Sequence, residues 1–504
     1  MWQRLAVFRN NTGIHLAILF LFALVLNREG TWVASGNENV YLLYLIKAWH
    51  TSFLKTDFTF QETTAGHPVF NFLFGWPTLF IRLEIVGWIG RMASWIFLFT
   101  ALLRIGRHFR IAPWMVFTAI LFWLIQRQSF LANEWIIGTF EAKCVAYSCL
   151  LFAIDTILDG KLVLPAILTG LAFTFHSAVG LWGGAGIGLA FAFTRPFRET
   201  LKFACWATLF ALPGVITSLP MILGGHAITP DEAKFIVTIE MPFHLDPLVF
   251  GKGKIAVLYL MLLFNLLHTC ANRDDEKLKF LIRFQLAIGA FFALGILFRL
   301  MGKFTLVQLF PFRVFAVLCM LFFFWHLAAA YAHRCERAPS PSLIALGILI
   351  FLALPSMVGR LSGLAADQLP KWRRPSDDFL TAAAWVRENV PEQAVVIAPP
   401  WRKDTFDQIR RPLIADWHAP RYDAMTQWKE RIESLVGDVS QMSVEDNLAG
   451  EMDERARDHY ADLSTADVAG IVKKYGGDFI VTTASYHFPV VFSTPTQKIY
   501  KLSK

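Results

Sequence analysis

The residues able to do chemistry in this chain of 504 amino acids are acids, cations and imidazoles set at the edges of long apolar runs. Glu38 and Asp57 lie in a polar stretch after the first run, with the amphipathic segment Val40–Trp49 between them. A carboxylate placed in this way serves as a general base or orients an acceptor hydroxyl, provided that it is ionised. The competing role is a helix cap or an interfacial charge. His67 follows, held between Gly66 and Pro68. Glu141 and Lys143 open a further apolar run, where they either meet substrate or pair to hold a helix bundle, and His176 interrupts another run. His244 and Asp246 stand close together in Glu240-Met241-Pro242-Phe243-His244-Leu245-Asp246-Pro247, where they could bind substrate or a cation, although a lone His-x-Asp is a weak metal signal. Arg299, Lys303, Gln308 and Arg313 mark the place where the chain leaves one apolar run and enters the next. The planar guanidinium fork makes bidentate contacts to phosphate and keeps its charge when partly buried, so Arg299 and Arg313 are the expected phosphate ligands.

The elements that position these groups are read from composition. The chain is 55% hydrophobic, 15% aromatic and only 17% charged, with 47 Phe and 17 Trp against 10 Tyr. That excludes a disordered chain, a coiled coil and a small disulfide scaffold, and a soluble enzyme would carry about 25% charged residues. Lipid is therefore the expected solvent. The net charge of +8 is the sum of +11 in residues 1–360 and −3 in 361–504, so the basic balance points to membrane topology and not to nucleic acid.

A bilayer core of about 30 Å needs roughly 20 apolar residues in a helix. The runs Ile14–Leu26, Ile85–Leu103, Ile111–Ile125, Lys143–Leu158, Leu162–Phe175, Val179–Phe193, Phe203–Leu223, Ile255–Cys270, Phe280–Phe298, Val307–Leu327 and Leu343–Val358 predict about eleven spans, the first a retained signal anchor. Leu162–Phe193 holds no charge and would run about 48 Å as one helix, too long for a single crossing, so a break is expected at His176. With the N-terminus inside, the short connections rich in Arg and Lys, such as Arg104/Arg107/Arg110 and Arg273/Lys277/Lys279/Arg283, fall on the cytoplasmic side. An odd count then places 361–504 outside. The expected domains are a membrane part, 1–360, with a long first outer loop, 27–84, and an exported part, 361–504. All six Cys fall in the expected spans or at their inner ends, as small apolar space-fillers, with no CxxC.

Beyond the linker Pro370–Pro375 the pattern changes to a small α/β domain. Strands are expected at Ala394–Ala398, Leu413–Ala415, Asp478–Thr483 and Gln497–Leu502. Helices are expected from Ser376 to Pro391 and at Ala424–Val436, Val444–Tyr460 and Thr465–Tyr475. No phosphate loop, nucleophile elbow or HExxH occurs there, so chemistry is expected in the membrane part.

Acids on the first outer loop and cations deeper in would suit transfer of a sugar from a polyprenyl-phosphate carrier, with a base for the acceptor hydroxyl and cations for the phosphate leaving group. The order of a short N-terminus, one span, a long acidic outer loop, many spans and an exported α/β domain resembles the GT-C superfamily of integral-membrane glycosyltransferases. It looks most like a bacterial multi-spanning group of uncharacterised function. The matching segments are Gly36-Asn37-Glu38-Asn39-Val40-Tyr41, Lys55-Thr56-Asp57-Phe58, Gly66-His67-Pro68, Glu141-Ala142-Lys143, Phe175-His176-Ser177-Ala178-Val179-Gly180-Leu181-Trp182, Met241–Pro247, Pro311-Phe312-Arg313, Trp385–Pro391 and Asp416–Pro420. The resemblance implies that an acid of the first loop, Glu38 or Asp57, is the base or a metal-linked acid. It also implies that donor and acceptor bind at the outer face of the cytoplasmic membrane. Many members carry Asp in the first motif, where this chain has Glu38. The expected partners are membrane lipid, a polyprenyl-phosphate sugar and a glycan, lipid or protein acceptor. Mg²⁺ or Mn²⁺ is the cofactor this chemistry would admit, with no ligand set named by the pattern. The alternatives are a transporter or flippase for a lipid-linked glycan, which predicts internal repeats that the sequence does not display, and a non-catalytic membrane scaffold.

Overall fold

A computed structural model describes residues 11–26, 38–60, 67–223, 229–337, 358, 362, 377–402, 404–416, 425–439 and 451–502. Most of the expected span Leu343–Val358, the linker Pro370–Pro375, and parts of the Gly36–Tyr41, Gly66–Pro68 and Asp416–Pro420 motifs lie outside the described residues.

The chain is a helical membrane protein with a small C-terminal sheet. Among the described residues, five helices are long and apolar enough to cross a bilayer: Leu83–Arg107, Phe197–Leu219, Lys252–Ala271, Glu276–Leu300 and Arg313–Ala332. Their outward side chains include Leu209, Ile216, Leu260, Leu267 and Leu297, exposed apolar groups that only a lipid solvent would accommodate in such numbers. The expectation of about eleven spans is corrected by helix length. Thr12–Leu24, Pro113–Ile125, Val163–Phe175 and Ser177–Ala192 are apolar but short. A helix of 13 residues, such as Pro113–Ile125, reaches about 20 Å, well under the hydrocarbon thickness. An apolar run and a crossing are therefore different things in this chain.

Contacts divide the chain into two units, the first comprising Met1–Arg28, Ile89–Ile216 and Met241–Pro370. Its centre is Ala142–Leu158, buried along nearly its whole length. Val163–Phe175 packs on this helix and turns back at His176 into Ser177–Ala192, so the break lies where the length argument puts it. His176 makes the turn by leaving helical backbone, while its Nδ1 accepts from the Val179 amide at 3.3 Å. Gly180 lets the two helices close, because a Cβ there would lie 2.1 Å from Cα of Phe173. Small residues are what allow helices to approach in lipid, where no hydrophobic force pushes them together. Gly180→Ala is expected to cost about 1–3 kcal/mol of stability, seen as a lowered thermal unfolding midpoint in detergent. At one end of this unit Arg104 meets Asp155 at 2.6 Å, and Lys277 meets His108 at 2.9 Å.

The second unit comprises Glu29–Trp88, Thr217–Glu240 and Lys371–Lys504. Its sheet is mixed, in the order β1-β2-β4-β3, from β1 (Val396–Ile397), β2 (Phe479–Thr482), β3 (Val490–Ser493) and β4 (Lys498–Lys501). β1 and β2 run parallel, and the β2–β4 and β4–β3 pairs are antiparallel. Leu413 adds a single parallel bridge to Val396 where a short strand is expected. The unit also holds the helices Asp378–Asn389, Met425–Val436, Glu451–Asp462 and Thr465–Tyr475, the last started by a Ser464/Asp467 capping box. First-loop residues are built into this unit. Thr56 donates to Gln393, Phe60 packs edge-on against Phe406 at 5.3 Å, and Arg410 bonds Glu84 at 2.9 Å.

Candidate functional site

The first unit carries a cluster of ionisable groups in an otherwise apolar bundle. Its framework is the loop between Pro113–Ile125 and Ala142–Leu158. Gln128 acts as a clamp: its Oε1 accepts from the amides of Ile136 and Ile137, each at 2.8 Å, and its Nε2 donates to the Ile137 carbonyl. Trp95 Nε1 ties down the Gly138 carbonyl at 2.9 Å. Four non-glycine residues of the loop adopt left-handed backbone, Arg127 (φ 62°), Gln128 (φ 66°), Ala132 (φ 55°) and Asn133 (φ 45°). Such conformations cost about 1–3 kcal/mol each and gather at functional sites, where a rigid surround enforces them.

The strained loop presents Glu134, which is 1% exposed. Its Oε2 lies 3.5 Å from Nε of Arg313, and its Oε1 lies 3.5 Å from the Tyr147 hydroxyl. Arg313 begins the helix Arg313–Arg337 and stacks its guanidinium 4.1 Å above the ring of Phe310, another left-handed residue at φ 56°. Lys143 is buried as well. Its Nζ lies 3.5 Å from the Trp135 ring centre and 3.4 Å from Oε2 of Glu141, whose Oε1 accepts from Thr139 at 2.8 Å. His244 completes the cluster, its Nδ1 at 2.6 Å from the Ala132 carbonyl. A carbonyl only accepts, so Nδ1 carries the proton and Nε2 keeps a lone pair. Burial, and then the nearby cations Arg313 and Lys143, hold His244 well below its usual range despite the Ala132 bond, so it is neutral at pH 7.

Arg299 is placed differently. It makes a fork-to-fork pair with Asp246, Nε to Oδ1 at 3.1 Å and Nη2 to Oδ2 at 2.9 Å, and stacks on Phe304. The guanidinium face best suited to phosphate is thus already used. Removing one member leaves a mostly buried charge without its partner, at a cost of about 3–5 kcal/mol. Arg299→Gln or Asp246→Asn alone is therefore expected to lower the thermal midpoint in detergent sharply, and the double variant is expected to recover most of the loss.

The remaining predicted site residues fall in the second unit. Glu38 is the first residue of the helix Glu38–Trp49 and is 1% exposed. Asp57 is fully buried and accepts three backbone amides, Thr59 at 2.7 Å and Phe60 at 3.0 Å on Oδ1, and Leu413 at 2.7 Å on Oδ2. Burial outweighs these bonds and Lys47, and pushes its carboxyl up to about 6. His67 is left-handed at φ 56°, heads the helix Pro68–Gly75 and lies 6.4 Å from the Tyr41 ring. Glu240, adjacent in sequence to the His244 loop, ends the segment Ile236–Glu240 of this unit, and burial pushes its carboxyl up to about 8. The structure therefore brings Glu141, Lys143, His244 and Arg313 together, while His176 serves a helix turn and Arg299 an ion pair. Glu134, the hub of the cluster, escapes the sequence reading. Its one signal is an acid, Asn133-Glu134-Trp135, in a connection between two apolar runs that also holds Glu141.

Among the described residues, no group of three His, Cys, Asp or Glu side chains gathers in the way that would hold a metal ion. The fold and cluster define a helical membrane protein with a buried polar centre at one loop and two helix starts. No protein-family model matches this chain, and no curated protein matches it.

Proposed function

We propose that the chain is a membrane glycosyltransferase that moves a sugar from a polyprenyl-phosphate donor to an acceptor on the outer face of the bacterial cytoplasmic membrane, in the manner of the GT-C enzymes that its sequence resembles. The observation that carries this reading is the gathering of two cations, buried Lys143 and mostly buried Arg313, with His244 in one polar cluster. Lys143 stands 3.4 Å from Oε2 of Glu141, whereas Arg299 and Asp246 meet at 2.9 Å in the same unit. Charge-assisted bonds normally close to about 2.7–2.9 Å. A buried lysine held at that distance can exchange its carboxylate for an incoming phosphate, and the low local dielectric makes that contact strong.

In the reaction the bond between the anomeric carbon and the phosphate oxygen breaks, the acceptor oxygen takes its place, and the acceptor proton passes to a base. Negative charge grows on the departing polyprenyl phosphate, where Arg313 and Lys143 stabilise it. Neutral His244 offers its Nε2 as an acceptor for a hydroxyl. Glu38 takes the role of the first-loop acid by resemblance, and Glu38→Gln tests that role on its own. Asp57, with three amides on its carboxylate, serves packing in this account. Added Mg²⁺ or Mn²⁺ is a variable of the assay.

The test is incubation of the purified protein in lipid nanodiscs with polyprenyl-phosphate sugars and measurement of the freed carrier. Carrier release supports a transferase. Movement of an intact lipid-linked sugar across the bilayer without release supports the flippase alternative instead.

A further inference from the structure

We infer that the C-terminal part of the second unit carries a binding cleft for a neutral saccharide. The cleft encloses about 600 Å³ between the start of Asp378–Asn389, the loop after β1, the helix Glu451–Asp462 and the turn before β4. That volume falls within the range of small-ligand sites and accommodates a short oligosaccharide.

Its lining combines aromatic faces with balanced charge. Trp401 is half-buried and meets Tyr460 edge-on at 5.3 Å, and Phe379 lies under the guanidinium of Arg402 at 4.1 Å. Arg402 is held flat by Asp377 at 2.6 Å and by both oxygens of Asp404 at 3.1 and 3.2 Å. These bonds use Nε and Nη2, so its Nη1 makes no hydrogen bond to a described residue. Arg457 and Asp458 line the same cleft from an exposed helix face, and Oε1 of Gln497 meets no donor among the described residues.

Each alternative ligand class conflicts with this lining. An anion would find Arg402 already neutralised by two carboxylates and Arg457 beside Asp458. A hydrocarbon would leave those charges desolvated without compensation. A neutral saccharide satisfies both kinds of surface. Its ring carbons carry C–H faces that lie against an indole, and its paired hydroxyls accept from a guanidinium while donating to a carboxylate or an amide oxygen. The inference does not require the transferase reading, because saccharide binding here involves no lipid donor and no group transfer.

The experiment is calorimetric titration of the full-length protein in detergent with soluble oligosaccharides of glucose, mannose, galactose and N-acetylglucosamine, with inorganic phosphate and hexaglycine as comparators. At least one oligosaccharide is expected to bind and to shift tryptophan fluorescence. Trp401→Ala should weaken that binding by about tenfold or more. Asp458→Asn and Arg457→Gln, on an exposed helix face, should weaken it severalfold with an unchanged unfolding midpoint, which separates loss of the site from loss of the fold. Failure of all the oligosaccharides to bind folded wild-type protein overturns the inference. So does binding that all three variants leave unchanged, or binding of phosphate or hexaglycine in place of saccharide. Carrier release in the nanodisc assay is read separately, so either reading can fail alone.

Discussion

Asp57→Ala is expected to destabilise the second unit by about 3–6 kcal/mol, enough to unfold it at ambient temperature or to lower its midpoint by many degrees. The side chain is fully buried and holds the amides of Thr59, Phe60 and Leu413. Alanine leaves three buried donors without acceptors, each costing about 1–3 kcal/mol. The Leu413 bond joins positions 356 apart in the sequence, so its loss removes one tie between the first loop and the segment that bridges β1. Asp57→Asn keeps the shape, but when its Oδ1 accepts from Thr59 and Phe60 its NH₂ faces the Leu413 N–H, so an intermediate loss is expected.

The same carboxyl makes stability depend on pH in a defined direction. Folded, it holds its proton up to about 6; unfolded, it loses it near 3.8. Between these values the folded state binds more protons, so this group's contribution is full below about 4, falls as pH rises, and is gone above about 6, a span of roughly 3 kcal/mol. Urea unfolding of the wild type at pH 4 to 7, compared with Asp57→Asn, should isolate a slope that the variant lacks. Equal slopes would show that Asp57 does not titrate in this window.

The second large effect concerns the buried cluster. Arg313→Gln is expected to reduce carrier release by roughly 10²–10³-fold, the usual cost of removing one preorganised group that stabilises developing negative charge. Loss of the cation also strands Glu134, which is 1% exposed, so the single variant confounds chemistry with stability. Glu134→Gln/Arg313→Gln removes both charges and is expected to regain the wild-type midpoint while remaining inactive. Recovery of activity in the double variant would assign the pair to structure.

The parts legible in the sequence are those set by local rules. The break at His176 follows from helix length, and the second unit's expected strands appear as β1, β2, β4 and the Leu413 bridge. β3 escapes because Val490–Ser493 is short and largely exposed, without the alternation that marks a half-buried strand. The count of spans fails because hydropathy registers apolar runs, whereas crossing a bilayer depends on the length of unbroken helix. The site is harder still. Whether a charge is tied up depends on partners far away in sequence: Asp246 occupies Arg299 across 53 positions, and Leu413 occupies Asp57 across 356. Lys143 and Arg313 look no different in sequence from Arg299, and only the structure shows Arg299 in a fork-to-fork pair while the other two share one cluster. Glu134 becomes visible through the left-handed backbone around it, which no residue pattern encodes, since Arg127, Gln128 and Ala132 are not residues that favour that conformation.

The most direct measurement is the rate at which wild-type protein, Lys143→Gln and Glu134→Gln/Arg313→Gln, matched for unfolding midpoint in nanodiscs, free polyprenyl phosphate from a polyprenyl-phosphate sugar. The account predicts release by the wild type and a fall of roughly 10²-fold or more in both variants. Equal rates in all three proteins, or no release by folded wild type from any polyprenyl-phosphate sugar, would contradict it.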